Sequence, residues 1–206
     1  MYSTALLSAL LLASSTFAAD KVTFPTTFQT SSKRGLVFVN NKKAPEDNKI
    51  WAPPGTDLTW YYNYEPRPSP IYAGISQKDF EFVPQCWGNN PTFADTVKEL
   101  IGNGRNITHV LGMNEPDEPI GATGGSGIDP VKAAGIWIQQ IEPLRALGIK
   151  TGAPAVTGSQ RGITWLKGFF NACTEMGTNC TMDFLPMHWY GNFEGLASFM
   201  GQLSAT

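Results

Sequence analysis

Six short apolar runs constrain this chain more than any other feature. They are Gly35-Leu36-Val37-Phe38-Val39, Leu58 to Tyr64, Phe80 to Pro84, Ile107 to Leu111, Thr151 to Val156 and Met182 to Tyr190. Their apolar residues are continuous rather than alternating, the pattern of parallel strands covered on both faces. Stretches of helical period lie between the later runs. Phe93 to Ile101 puts Phe93, Val97, Leu100 and Ile101 on one side. A second helix starts with Asp129 as N-cap and Pro130 at the first helical position, and runs to about Glu142 with Ala134, Ile138 and Ile141 inward. Pro143 kinks or restarts it and Gly148 stops it. Ile163 to Cys173 and Phe193 to Leu203 complete the set. Strand and connection repeated in this way predict a parallel α/β fold, and a (β/α)8-type barrel fits it.

The fourth run feeds the stretch N-I-T-H-V-L-G-M-N-E-P-D, residues 106–117. The run breaks at Gly112 and delivers Asn114-Glu115-Pro116-Asp117. Pro116 cannot donate to a ladder and pushes Glu115 towards an extended conformation. Glu115 is then a carboxylate half in a core and half in a cleft, the partly desolvated setting that a general acid needs. Asn114 beside it is a neutral donor and acceptor suited to hydroxyl groups. A polar turn capping a strand would look the same in isolation. The wider pattern decides between them: Tyr62 and Asn63, Trp87, Asn114 and Glu115, and His188 with Tyr190 all gather where runs two, three, four and six end. Barrel active sites form at that face. A satisfied core histidine stays open as the alternative for His188, which stands beside Trp189 and Tyr190.

Other readings exclude function classes. The net charge is −2 and no basic run exceeds two residues, which argues against nucleic acid or an anionic membrane surface as partner. The glycine-rich stretch 121–127 lacks a following Lys-Ser/Thr and is not G-x-G-x-x-G, so it reads as a flexible loop and not a phosphate cradle. The two histidines, His109 and His188, have no H-E-x-x-H spacing, so no metal and no cofactor are expected. Residues 1–18 read as a secretory signal, with Leu6 to Ala13 as the apolar region and Thr16-Phe17-Ala18 before the cleavage point. That run is too short to span a bilayer. Residues 19–32 form a polar lead-in, and the chain is expected to be exported, extracellular or in a cell wall. Cys173 and Cys180 flank T-E-M-G-T-N and suit a local disulfide, leaving Cys86 as a buried free thiol. Asn106 and Asn179 open N-x-S/T acceptor sites.

Several independent motifs in order carry a family resemblance. Lys33-Arg34-Gly35-Leu36, Trp60-Tyr61-Tyr62-Asn63, Val83-Pro84 with Trp87-Gly88, Gly112 to Asp117, Ile141-Glu142-Pro143-Leu144, Ala153-Pro154-Ala155-Val156 and Asp183-Phe184 with His188-Trp189-Tyr190 resemble glycoside hydrolase family 128. These are the fungal secreted proteins also called alkali-sensitive-linkage-like glycosyl hydrolases. The resemblance covers about residues 33–203 and makes 33–206 a glycoside hydrolase catalytic domain. It implies a TIM barrel and retaining, endo-acting hydrolysis of β-1,3-glucan, with acid/base and nucleophile on strands four and seven. Residue by residue, Glu115 resembles the acid/base and Asn114 the residue near the sugar 2-hydroxyl. Tyr62, Asn63, Trp87, His188 and Tyr190 match positions lining the glucan cleft.

The chain departs from the pattern in one respect. The family's nucleophile is a glutamate at the end of strand seven in a Trp-x-Thr-Glu setting, and this chain stops before that strand. The expectation is therefore about six of eight βα units, open between the first and sixth strands and incomplete at the C-terminus. Glu175 and Glu194 belong to helical regions and do not stand in for the nucleophile, so no second glutamate is expected within about 6 Å of Glu115. The competing expectation is a non-catalytic β-glucan-binding or cell-wall protein. A monomer is expected in either case.

Overall fold

The computed structural model describes residues 33–52, 56–121 and 123–205. The expected secretory signal and lead-in, 1–32, lie outside the described residues. Strands β1 (Gly35–Val37), β2 (Trp60–Tyr62) and β3 (Glu81–Phe82) form a parallel sheet in that order, with Leu36 opposite Tyr61 and Tyr61 opposite Phe82. Strands β4 (His109–Leu111) and β5 (Lys150–Gly152) pair in parallel, Val110 opposite Thr151. Isolated parallel bridges extend the series, Gln85 to Leu111 and Gly152 to Phe184. Each run thus neighbours the next in sequence, which is the wall of a barrel-like α/β fold.

Strand periodicity gives the wall two faces. On β2, Tyr61 is buried outward among Tyr72, Phe80 and Phe82, at ring distances of 4.8–5.2 Å. Trp60 and Tyr62 point the other way and stack at 6.4 Å. Inside the wall, Trp60, Glu81, Val83, His109, Leu111 and Phe184 surround a cavity of about 220 Å³.

The helices are α1 (Phe93–Gly102), α2 (Pro130–Gln140), α3 (Glu142–Arg145), α4 (Gln160–Glu175) and α5 (Phe193–Leu203). Asp129 caps α2, its carboxylate accepting from Val131 N at 2.9 Å, and Pro130 fills the first position. The break expected at Pro143 falls at Ile141, which ends α2 and starts α3. Helices α2 and α4 pack through Trp137 and Phe169, whose rings meet edge-on at 5.8 Å. Trp165 stacks on Phe169 at 5.7 Å and donates its indole N–H to the Ile128 carbonyl at 2.7 Å.

The strands are shorter than their apolar runs. The expected sixth strand, Met182 to Tyr190, meets the wall at a single bridge through Phe184. Pro186 has no N–H to give, and the Asp183 carboxylate accepts the Thr151 N–H at 2.8 Å, an amide a ladder would use. The Asp183 carboxyl is held below the usual range, first by that amide and further by Arg145 at 2.7 Å. The fifth run pairs over 150–152 rather than 151–156, since Pro154 interrupts it. Among the described residues no ladder or bridge joins β1 to the 182–190 segment.

Cys173, near the end of α4, is bonded to Cys180 with a Cα–Cα distance of 5.7 Å. Cys86 is free and buried, its thiol directed at the Gly88 carbonyl 3.4 Å away, and burial pushes it up to about 12. Asn106 and Asn179 are both exposed. The expected labelling pattern follows. A maleimide should modify no thiol of the native protein, one in denaturant without reductant, and three after reduction, as counted by intact mass. Closing so short a loop adds about 2–3 kcal/mol, so reduction should also lower the melting temperature.

Candidate active site

The turn 113–118 is tied from both sides. Asn114 N–H donates to Trp87 O at 2.9 Å, and Glu115 N–H donates to Ala155 O at 2.7 Å. Glu118 N–H closes the turn on Glu115 O at 3.0 Å. Gly112 lets β4 and β5 close up beforehand, since a Cβ there would sit 2.9 Å from Gly152 O. These tethers hold Glu115 at φ 39° rather than in the extended conformation expected from Pro116. A left-handed non-glycine residue is strained and persists only where its surroundings over-determine it.

The Glu115 carboxylate meets His188 Nδ1 at 2.7 Å, with the two side chains 12% and 20% exposed. With Glu115 ionised, this contact requires the proton on Nδ1. Around the pair, Tyr64, Trp87, Asn114, Thr123, Gly124 and Tyr190 enclose a cleft of about 300 Å³. Asn114 is 4% exposed; its amide donates to Gly124 O at 3.0 Å, and its Oδ1 is buried without a protein partner. Such an acceptor is costly unless water or a ligand hydroxyl satisfies it. His188 also lines an inner groove of about 270 Å³, with Val37, Tyr62, Ala155 and Met187. Burial, then the neighbouring Tyr64 hydroxyl, pushes the Tyr62 hydroxyl well above the ordinary phenol range, so it stays a proton donor.

Tyr62 lines the inner groove that shares His188 with the cleft, and Trp87, Asn114, Glu115, His188 and Tyr190 line the cleft itself. Tyr190 sits at its rim, 92% exposed. Asn63 is placed elsewhere. Its amide donates to Arg67 O at 3.0 Å and its Oδ1 accepts Glu65 N–H at 3.2 Å, so it caps the turn after β2. Trp189 packs away from the groove, stacking on Phe199 at 5.7 Å and donating to Asn192 O at 2.9 Å. The other histidine, His109, lies inside the wall at 3.2 Å from Glu81. No group of three or more His, Cys, Asp or Glu that could hold a metal occurs among the described residues.

Two residues to which the sequence reading assigns no role join the site, although Asp117 closes the motif that contains Glu115. Tyr64, left-handed at φ 62°, faces the cleft where Asn63 does not. Asp117 has a fully buried side chain that accepts Thr157 N–H at 3.0 Å and the Thr157 hydroxyl, with Arg161 Nε at 3.5 Å. It pins the Glu115 turn to the loop after β5.

A barrel-like wall of parallel strands, with a histidine-bonded carboxylate in an aromatic groove at their C-terminal ends, defines a glycosidase-type domain. Residues 35–206 match the family model described as glycosyl hydrolase catalytic core. The chain belongs to that family and, within it, to glycoside hydrolase family 128. Alkali-sensitive linkage protein 1 of Schizosaccharomyces pombe is 31% identical over 189 residues, which cover 84% of this chain and 29% of that protein. The chain thus spans less than a third of that relative's length. A subgroup III curdlan-specific exo-β-1,3-glucanase from Blastomyces gilchristii, solved with glucose, is 29% identical with a TM-score of 0.61, over 84% of this chain and 68% of its own. A subgroup II endo-β-1,3-glucanase from Pseudomonas viridiflava is 25% identical with a TM-score of 0.64, over 86% of this chain and 68% of its own.

Proposed function

We propose that the chain is a secreted β-1,3-glucan hydrolase domain with Glu115 as its acid/base. The observation that carries this is the Glu115–His188 pair, 2.7 Å apart in an aromatic groove beside the unpaired Asn114 Oδ1. A neutral sugar suits such walls, with stacking from Trp87 and hydroxyl contacts from Asn114 and Tyr62. Protonated Glu115 would donate to the glycosidic oxygen as the C–O bond breaks. As carboxylate it would then take a proton from the incoming water.

Retention requires a second carboxylate about 5–5.5 Å from the first. Among the described residues lining the cleft beside His188, Glu115 is the one acid, and Glu65 lines the adjoining cavity beyond Tyr64. Glu118 is engaged by Arg161, Glu175 ends α4, and Glu194 stands in the first turn of α5 outside the residues that line the cleft. The mechanism therefore needs a nucleophile facing Glu115 that these residues do not supply. We read β1 to β5 and the 182–190 segment as six units of a (β/α)8-type wall. The cleft around Glu115 has a neighbouring cavity beside Tyr64 and a neighbouring groove beside Tyr62, which favours internal cleavage. The proposal extends to export, a monomeric state and glycans on Asn106 and Asn179.

Incubating the protein with laminarin tests the reading; new reducing ends with products of several lengths are expected. The single carboxylate in the cleft favours a second reading, a non-catalytic β-glucan-binding protein. Calorimetric binding of laminarihexaose without new reducing ends would select it. Absence of both binding and hydrolysis would sink both readings.

A further inference from the structure

The loop after α4 places a glycan acceptor across a disulfide, an arrangement that the acid chemistry does not use. N-linked acceptors have the pattern Asn-x-Ser/Thr, and residues 179–181 fit it with Cys180 in the middle. Cys180 is bonded to Cys173, seven positions earlier. We propose that Asn179 is a redox-gated modification site. It accepts an N-linked oligosaccharide only while Cys173 and Cys180 are thiols, and closure of their bond ends its acceptance. The inference rests on the export reading above and not on the glucan reading.

The outer residues of the acceptor and its middle residue are in opposite settings. Asn179 and Thr181 are exposed, whereas Cys180 is fully buried. Cys180 is also left-handed, at φ 40°, a conformation that its surroundings must impose on a non-glycine residue. Thr178 N–H donates to Cys173 O at 3.0 Å, and Cys180 N–H donates to the Thr178 hydroxyl at 3.4 Å. On the far side, Thr181 O accepts the Thr151 hydroxyl at 3.4 Å, and Asp183 N–H donates to Thr151 O at 2.8 Å. The acceptor is thus moored to α4 at one end and to β5 at the other. A transferase has to take the Asn179 carboxamide and the Thr181 hydroxyl together, which requires the backbone between them to come free of the fold. In transfer, the Asn179 nitrogen bonds to C1 of an oligosaccharide carried on a lipid diphosphate. The C1–O bond breaks, the diphosphate leaves, and the amide loses a proton to the enzyme. With Cys180 bonded and buried, that approach is closed. Closing the bond takes two protons and two electrons from the thiols, passed by exchange to a protein disulfide of the secretory compartment. The reverse order stays open, because Asn179 is exposed and a glycan already attached there leaves the two sulfurs free to join. Asn106 is the internal comparison. Its acceptor contains no cysteine, and its Thr108 hydroxyl donates to Glu81, so folding alone closes it.

The test is translation of the full chain with eukaryotic rough microsomes, with and without dithiothreitol. Glycans are counted by glycosidase gel shift and placed by peptide mass spectrometry. Without reductant the product should carry mainly one glycan, at Asn106. Dithiothreitol should move it to mainly two, and so should Cys173→Ser, which leaves residues 179–181 intact. Asp117→Ala keeps both cysteines while weakening the fold, and it should stay with one. Asn179 occupied equally in every case, or bare in every case beside a glycosylated Asn106, would overturn the redox gate while leaving export intact. A second glycan gained in Asp117→Ala as readily as in Cys173→Ser would overturn it too, since folding and not the disulfide would then be the gate. Absence of glycan from both positions under every condition would overturn the export reading, and this inference with it.

Discussion

Replacing Glu115 by glutamine is expected to lower glucan hydrolysis by about 10²–10⁴-fold while changing laminari-oligosaccharide affinity by less than about threefold. Glutamine has the same shape and keeps an oxygen that can accept from His188 Nδ1, now 2.7 Å from the carboxylate. The Ala155 contact at 2.7 Å is made by the backbone amide and survives any side-chain change. What glutamine cannot do is release a proton to the leaving oxygen or recover one from water. The loss should therefore fall on kcat and leave binding in place. Glu115→Asp is a sharper variant of the same test. It keeps the acid but withdraws it by one methylene, away from His188, so an intermediate rate is expected. Initial rates of reducing-end release and calorimetry on the same preparations separate the two effects. Parental activity in Glu115→Gln would show that another group is the acid.

How far the site could be read in advance depended on whether its causes were local. The start of α2 was legible because Asp129 and Pro130 carry it between them, a cap and a fixed φ in adjacent residues. Helix α5 falls on the expected Phe193–Leu203 for a similar reason, an amphipathic period within one stretch. Strand ends were not local. The run 182–190 is apolar enough to be a strand, but Asp183 takes an amide on β5, and Pro186 brings none. Gly152 has to be bare for Phe184 to lie where it does, since a Cβ would come 2.6 Å from the ring. Trp87, Asn114, Glu115 and His188 could be gathered at one cleft in advance because they stand at strand ends, where barrels place chemistry. Asn63 and Tyr64 exchanged places. The left-handed turn at Tyr64 is fixed by bonds from the Asn63 side chain to Glu65 and Arg67, which spacing alone does not reveal.

Asp117→Ala is expected to cost about 2–4 kcal/mol of stability and to lower kcat at temperatures where the variant is still folded. The Asp117 side chain is fully buried, and its carboxylate accepts both the amide and the hydroxyl of Thr157, forty residues away. Hydrogen bonds to a charged acceptor contribute about 1.5–3 kcal/mol each. Their loss in a domain of this size corresponds to a melting temperature lower by roughly 5–15 °C. Arg161, half exposed beside it, is left in water and adds little. The effect on rate has a separate origin. Glu115 is held at φ 39°, a conformation that costs about 1–3 kcal/mol and needs its neighbours to hold it. On one side, Glu115 N–H is bonded to Ala155 O; two residues on, Asp117 is bonded to Thr157. Removing the second tie leaves the strained residue secured to the β5 loop at one point, and its carboxylate free to drift from His188. Asp117→Asn should recover part of both losses, because its amide oxygen still accepts the Thr157 N–H. Melting curves together with kcat and KM measured well below the transition make the test. If Asp117→Ala were destabilised as expected but turned over at the parental rate, Asp117 would be a structural residue only. A reduced kcat with KM nearly unchanged, partly restored by asparagine, is the result that identifies it as the residue positioning the acid.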